Sequence, residues 1–213
     1  MKPTELNDLY FQTTPSSVRY NHPNPLVRSI ERYRVGKIAE MVGSGGRLLE
    51  LGCETGSNLE RCSAEMKVGL DISKEALRHM SRDIPCVLGD AARTPFKNDA
   101  FDTVILAETL EHVHNPAAMV SEAARVLKQK GRLVVTVPYE THITVVKNLL
   151  RKLGLMRLLF RGIPERTTEF HVQFFTPESL KRLLSVKFGV EKLWVGPFPV
   201  LGPIIFARAN KTP

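Results

Sequence analysis

The sequence offers little with which to stack bases, cross-link itself or span a membrane. Aromatic residues make up 7% of 213 positions and Trp194 is the only tryptophan, too few for a base-stacking platform. Cys53, Cys62 and Cys86 form no CxxC pair, and an odd count excludes a closed disulfide framework, so they read as reduced thiols. His22, His79, His114 and His142 show no metal-ligand spacing either, and no metal site is expected. An apolar run of about 18 residues, the least a membrane-spanning helix needs, occurs nowhere. The start, MKPTELNDLYFQTTP, lacks the charged opening and apolar stretch of a signal peptide. Repeats and low-complexity tracts are missing too. With 43% hydrophobic residues the chain can bury one sizeable core. The expectation is one domain over 1–213, cytoplasmic, with no transmembrane segment.

The net charge of +8 suggests nucleic acid until it is divided along the chain. Residues 50–140 carry 11 basic and 14 acidic side chains, whereas residues 141–189 carry nine basic against three acidic. The excess is therefore local. Within it, HITVVKNLLRKLGLMRLLF has helical spacing, with Val145, Val146, Leu149, Leu150, Leu153 and Met156 on one face and Lys147, Asn148, Arg151 and Lys152 opposite. Two readings stay open: a cover helix with a solvated basic side, or a basic amphipathic element that closes over an apolar substrate or touches an anionic bilayer. In the lid form of the second, the leucine-rich face points at the ligand crevice.

Residues Arg47–Ser57, RLLELGCETGS, carry the most information. Leu48, Leu49 and Leu51 suit a buried parallel strand, and Gly52 and Gly56 permit a tight turn with close ligand approach before a helix near 57–65. Glu54 stands where a nucleotide-binding turn usually has a third glycine. Together with Glu50 it would repel a pyrophosphate but suit a cationic ligand. S-adenosyl-L-methionine fits: a sulfonium and an ammonium, no phosphate, and a nucleoside still to be held. Asp71, 19 residues beyond Gly52 at the end of MKVGLD, has the spacing of a ribose-binding carboxylate. Asp90, after PCVLG, can accept the adenine amino group beside the Ala91 amide. Glu108 ends the strand of FDTVILAE. Ligands in open α/β sheets bind beyond the carboxyl ends of the strands, where Glu50, Asp71, Asp90 and Glu108 would converge.

The remaining elements follow from period and punctuation. A helix is expected over 26–42, strands near 47–51, 67–71, 86–88, 102–107 and 132–137, and helices near 73–81 and 116–128. TPESLKRLL opens a late helix with a cap and a proline, and VEKLWV and PIIFARA give two final strands. This alternation predicts a doubly wound, mostly parallel α/β sheet with helices on both faces.

LLELGCETG, GLDIS, LGDAARTPF, FDTVILAETLEHV, GRLVVTVP and FFTPESLKRLL together resemble, in order and spacing, the motifs of class I S-adenosylmethionine-dependent methyltransferases. The type 11 group, which includes quinone-biosynthesis methyltransferases, is the one they are most similar to. The resemblance spans about residues 25–208 and implies a Rossmann-like seven-stranded sheet whose last strand is antiparallel. It implies that Glu50, Gly52, Gly56, Asp71, Ile72, Asp90, Ala91 and Glu108 line the cofactor site, with Cys53 and Glu54 inside the turn, and that S-adenosyl-L-homocysteine is the product. Glu54 departs from the family's usual glycine. The variable segments become an N-terminal helical cap over 1–45 and a substrate-covering insertion over 141–175. The implied acceptor is a small, apolar or lipid-like molecule, with peripheral contact to an anionic membrane as a further option. An RNA- or protein-modifying enzyme and a non-catalytic nucleoside-binding scaffold are the alternatives.

Methyl transfer is an in-line displacement, so positioning and water exclusion dominate and a base is optional. His112, after the fourth strand, and His171, before the last helix, are the candidate bases. The competing roles are a helix brace for His112 and a lid hydrogen bond for His171. Structural roles compete elsewhere too: Glu50 as a binder of turn amides, Asp71 as a helix cap, Asp90 as a turn residue, Glu108 through its carbonyl alone, Cys53 as a space-filler and Glu111 as a structural residue.

Overall fold

A computed structural model describes residues 20–155, 171–198 and 201–212. Seven strands form one sheet: β1 Arg47–Leu51, β2 Met66–Asp71, β3 Cys86–Leu88, β4 Phe101–Ala107, β5 Leu127–Pro138, β6 Phe188–Gly196 and β7 Ile204–Lys211. Their order is β3-β2-β1-β4-β5-β7-β6. The pairs from β3 through β5 are parallel, and β7 inserts antiparallel to both β5 and β6, as the sequence led us to expect.

The central strands are apolar because both of their faces are covered. Leu49, Leu51, Val104 and Leu106 pack on one side with α3 (Pro116–Val126) and α5 (Pro177–Leu184). Leu48 and Ile105 pack on the other with Ile38 and Met41 of α1 (Pro25–Val42). Helix starts follow the expected chemistry: Asn24, Asn115 and Thr176 accept backbone N–H bonds at the N-caps of α1, α3 and α5, each followed by proline.

Two elements depart from expectation. No helix fills 57–65; a single 3-10 turn, Leu59–Arg61, stands there. Only 14 residues separate the end of β1 from the start of β2, and the glycine turn consumes the first of them. The chain must then return to the opposite sheet edge, where Glu65 and Met66 donate to the Gly46 carbonyl. An extended Cys62 covers that distance in fewer residues than a helix would. The helix expected at 73–81 is also short, α2 spanning Lys74–Arg78.

The segments expected to form a cap, 1–45, and a covering insertion, 141–175, are described in part. Residues 1–19 and 156–170, Met156 among them, lie outside the described residues. The helix of the insertion, α4, runs Glu140–Lys152. Its apolar residues do not turn together toward the crevice: Val146 and Leu150 are half-buried, while Val145, Leu149 and Leu153 are 47%, 50% and 60% exposed. The inward arc is instead His142, Ile143, Val146, Lys147 and Leu150. Burial follows the side that carries His142, whose Nδ1 lies 3.0 Å from the Gly202 carbonyl oxygen, and the apolar stripe is offset from it.

Candidate active site

Beyond the carboxyl ends of β1, β2 and β4 lies a crevice of about 370 Å³, within the range of small-ligand sites. It sits where the chain leaves β1 for β2 and β3 on one side and returns to β4 on the other, the switch point of such sheets.

The glycine turn forms its floor. The N–H groups of Gly52 and Cys53 both donate to the Leu70 carbonyl, at 2.8 and 3.1 Å, fastening the turn to β2. Gly52 has φ 77°, and a Cβ there would lie 2.4 Å from Thr109 Cγ2. Thr109 Oγ1 in turn donates to the Ala107 carbonyl at 3.0 Å. Glu54 occupies the left-handed region itself, with φ 48°. The glutamate thus keeps the backbone that glycine would give, at a conformational cost of about 1 kcal/mol, and adds a carboxylate to the crevice wall. Glu108 is likewise left-handed, φ 54°, with its N–H donating to the Thr136 carbonyl at 2.9 Å. Strained residues of this kind gather at functional sites.

Of the sequence-predicted cofactor residues, Gly52, Cys53, Glu54, Asp71, Ile72, Asp90, Ala91 and Glu108 all line the crevice. Asp71 accepts the Glu54 N–H on Oδ2 and the Ser73 N–H on Oδ1, both at 2.8 Å. It therefore braces the turn as well as facing the crevice, since each carboxylate oxygen can accept a second bond. Burial raises its pKa and the two backbone N–H groups oppose that rise. Asp90 Oδ1 accepts the Ala92 N–H at 2.8 Å.

Glu50 and Gly56 stand behind the wall. Glu50 is buried, Oε1 accepts from Asn58 Nδ2 at 2.6 Å, and Oε2 has no hydrogen-bond partner among the described residues. Burial pushes its pKa up to about 8, against the Asn58 bond and the Arg34 charge. The Cys53 thiol is buried and its pKa lies well above the usual value, chiefly through burial. Its Sγ packs 3.9 Å from Met80 Sδ.

His112 lines the crevice at the end of a 3-10 turn, Leu110–His112, while His171 sits outside the lining and packs edge-on against it with ring centroids 5.0 Å apart. Arg34 is the residue that sequence reasoning missed. It projects from α1, 2% exposed, pairs with Glu31, and reaches the crevice beside four carboxylates. Its spacing within α1 marks it only as one more charge on a helix. Ser57, Asn58, Thr109 and Met119 also line the crevice.

The residues present fit S-adenosylmethionine on observations of this structure. The Gly52 turn leaves a cradle that a Cβ would fill, Asp71 lies at the end of β2 facing it, and Glu54, Asp71, Asp90 and Glu108 give the wall a negative bias that disfavours a pyrophosphate.

The family described as Methyltransferase domain matches residues 49–135. An uncharacterized protein of Methanocaldococcus jannaschii is 36% identical over 91 residues, 42% of this chain and 43% of that protein. A demethylmenaquinone methyltransferase of Mycobacterium tuberculosis is 37% identical over 139 residues, 63% of this chain and 57% of the relative. The chain thus spans about half the length of these curated relatives. Among solved structures, the PH0226 protein of Pyrococcus horikoshii superposes with TM-score 0.68 at 19% identity, covering 96% of this chain and 99% of that one. Magnesium protoporphyrin IX methyltransferase of Synechocystis, solved with S-adenosylhomocysteine, gives TM-score 0.68 at 16% identity, covering 99% and 100%. These likenesses speak for the fold. The matched span runs from β1 into β5 and holds the glycine turn, Asp71, Asp90 and Glu108, so the part of the chain that builds the crevice is the part that is similar to a methyltransferase domain.

Proposed function

We propose that this protein transfers a methyl group from S-adenosylmethionine to a small-molecule acceptor. The observation that carries the reading is a nucleoside-sized crevice at the switch point whose wall holds four carboxylates, Glu54, Asp71, Asp90 and Glu108, around a glycine turn. Asp71 takes the ribose hydroxyls, Asp90 and Ala91 the adenine edge, and Arg34 the carboxylate of the methionine moiety. Glu54 and Glu108 meet the ammonium and sulfonium end. Bound there, the cofactor would supply an electrophilic methyl group for in-line displacement by the acceptor's lone pair, and the chain's residues would serve to align the two. His112, the less exposed of the two histidines on the crevice wall, His112 and His114, is the group placed to take a proton from an acceptor hydroxyl. His171 stands behind it. A demethylmenaquinone methyltransferase among the relatives favours a phenolic or quinol-like acceptor. The test is conversion of S-adenosylmethionine to S-adenosylhomocysteine across phenols, quinols, thiols and lipids. Stimulation by a phenol or quinol is expected, and a response only to RNA or protein would overturn the small-molecule reading.

Glu50 gives the reading a pH signature. A cationic ligand favours its ionised form, so binding lowers its pKa from about 8, and affinity for S-adenosylmethionine should rise with pH until Glu50 is ionised without ligand. The limiting slope is about tenfold per pH unit, one proton released per ligand bound. Titrations between pH 6.5 and 8.5 should show this rise, and Glu50→Gln should flatten it. An affinity that falls with pH over that range would contradict it.

A second reading concerns location. Val145, Leu149 and Leu153 of α4 and its C-cap are exposed beside Arg151 and Lys152, a surface suited to an anionic bilayer that would deliver an apolar acceptor. No helix among the described residues is long and apolar enough to cross a membrane. Each basic residue at the surface adds about 1 kcal/mol of attraction, which salt screens. The protein should pellet with anionic but not zwitterionic vesicles at low salt and lose this when Lys147, Arg151, Lys152 and Arg157 become Gln. No pelleting with either vesicle would reject the reading.

A further inference from the structure

His171 is 59 residues from His112 in sequence, and two backbone bonds bring them together: the N–H groups of Val172 and Gln173 both donate to the Glu111 carbonyl, at 2.8 and 3.1 Å. The carboxylate of Glu111 and one nitrogen each of His112 and His171 then lie within 4.8 Å of one another. A tetrahedral zinc site, with bonds near 2.0–2.1 Å, sets its donors about 3.4 Å apart. Side-chain adjustments of about 1 Å would therefore bring all three onto one ion.

A fourth residue stands where such a site needs support. Glu140 Oε1, from the first turn of α4, lies 2.8 Å from His171 Nδ1. Accepting the Nδ1 proton fixes the tautomer that leaves the Nε2 lone pair for an ion, the role an outer carboxylate plays behind metal-bound histidines. The side chains of Glu111, His112, His171 and Glu140 are 1%, 18%, 10% and 11% exposed. Two carboxylates and two imidazoles so enclosed gather negative charge that a divalent cation would neutralise. The donor set, two nitrogens and one oxygen, selects a transition-metal ion over magnesium or calcium, and three ligands leave a coordination position open. Because His112 also lines the crevice, that position would adjoin the acceptor's side of the site.

We propose that Glu111, His112 and His171 bind a divalent transition-metal ion of the zinc type, with Glu140 as the outer support of His171; with the ion bound, its open coordination position would take the place of the His112 lone pair in receiving an acceptor hydroxyl. This departs from the sequence expectation of no metal, which rested on histidines other than these two. The test uses the chelator-treated full chain in a Cys86→Ser background, since Cys86 is the exposed thiol. It is titrated with zinc chloride by calorimetry and with cobalt chloride by visible absorption. Expected are one zinc per chain and cobalt bands that disappear in His112→Ala. Zinc affinity should drop by about 10- to 100-fold in Glu140→Gln and by more in His171→Ala, while His79→Ala, at the exposed C-cap histidine of α2, should match the parent. Circular dichroism confirms that each variant is folded. Absence of stoichiometric zinc binding in the parent, or unchanged affinity in a folded His171→Ala, would overturn the proposal. No methyl donor or acceptor is added, so failure here leaves the methyltransferase reading standing, and the reverse.

Discussion

Asp71→Ala should weaken binding of S-adenosylhomocysteine by about 10- to 150-fold, the equivalent of losing roughly 1.5–3 kcal/mol of charge-assisted hydrogen bonding to the ribose. Part of the loss comes from the turn itself. Asp71 receives the N–H groups of both Glu54 and Ser73, so the variant frees two donors as well as vacating the ribose position. Melting the ligand-free variant separates the two contributions, and titration well below its midpoint reads binding to folded protein. Affinity unchanged from the parent would show that Asp71 only braces the turn.

Gly52→Ala should be the most damaging single methyl in the site. The residue sits at φ 77°, where an L side chain costs about 1–2 kcal/mol. Its Cβ would also lie 2.4 and 2.7 Å from Thr109 Cγ2 and Oγ1, and overpacking of that kind costs about 1–3 kcal/mol. Something must move, and both candidates matter: Thr109 Oγ1 reaches the Leu51 carbonyl, just before the turn, at 3.4 Å, and the Gly52 N–H holds the turn to Leu70. A lower midpoint and cofactor affinity reduced by tenfold or more are expected. Adding Thr109→Ala removes the two nearest atoms and should recover the packing share but not the backbone share, a coupling that a double-mutant cycle measures. Full additivity of the two substitutions would show that the contact does not limit the turn.

What could be read from the sequence was whatever a local period or a fixed spacing encodes. Leu48, Leu49 and Leu51 marked β1 because a strand covered on both faces needs an unbroken apolar run, and Asp71 was found by its distance from Gly52. The helix expected at 57–65 failed because composition there allows a helix while the 14-residue connection leaves no length for one. Composition is local; the return path across the sheet is not. The same distinction separates Asp90 and Glu108, placed by their strands, from Arg34 and the His112–His171 contact. Arg34 depends on which face α1 turns inward, and the two histidines meet through bonds to the Glu111 carbonyl. For α4 the apolar stripe was legible but its orientation was not, because that depends on partners distant in sequence, the Gly202 carbonyl at His142 and His171 at Glu140. Glu54 was legible as a charge and illegible as a backbone: only the φ of 48° shows that the turn keeps its shape without the usual glycine.

The central claim is that the carboxylate-lined crevice binds a cationic nucleoside cofactor, and calorimetric titration of the full chain with S-adenosylmethionine, S-adenosylhomocysteine and NAD tests it most directly. Saturable binding of the first two at one site per chain, with no heat from NAD, is the predicted result. Absence of heat from both S-adenosyl ligands, or saturable binding of NAD in their place, would contradict the assignment of the Gly52 turn, Asp71 and Asp90.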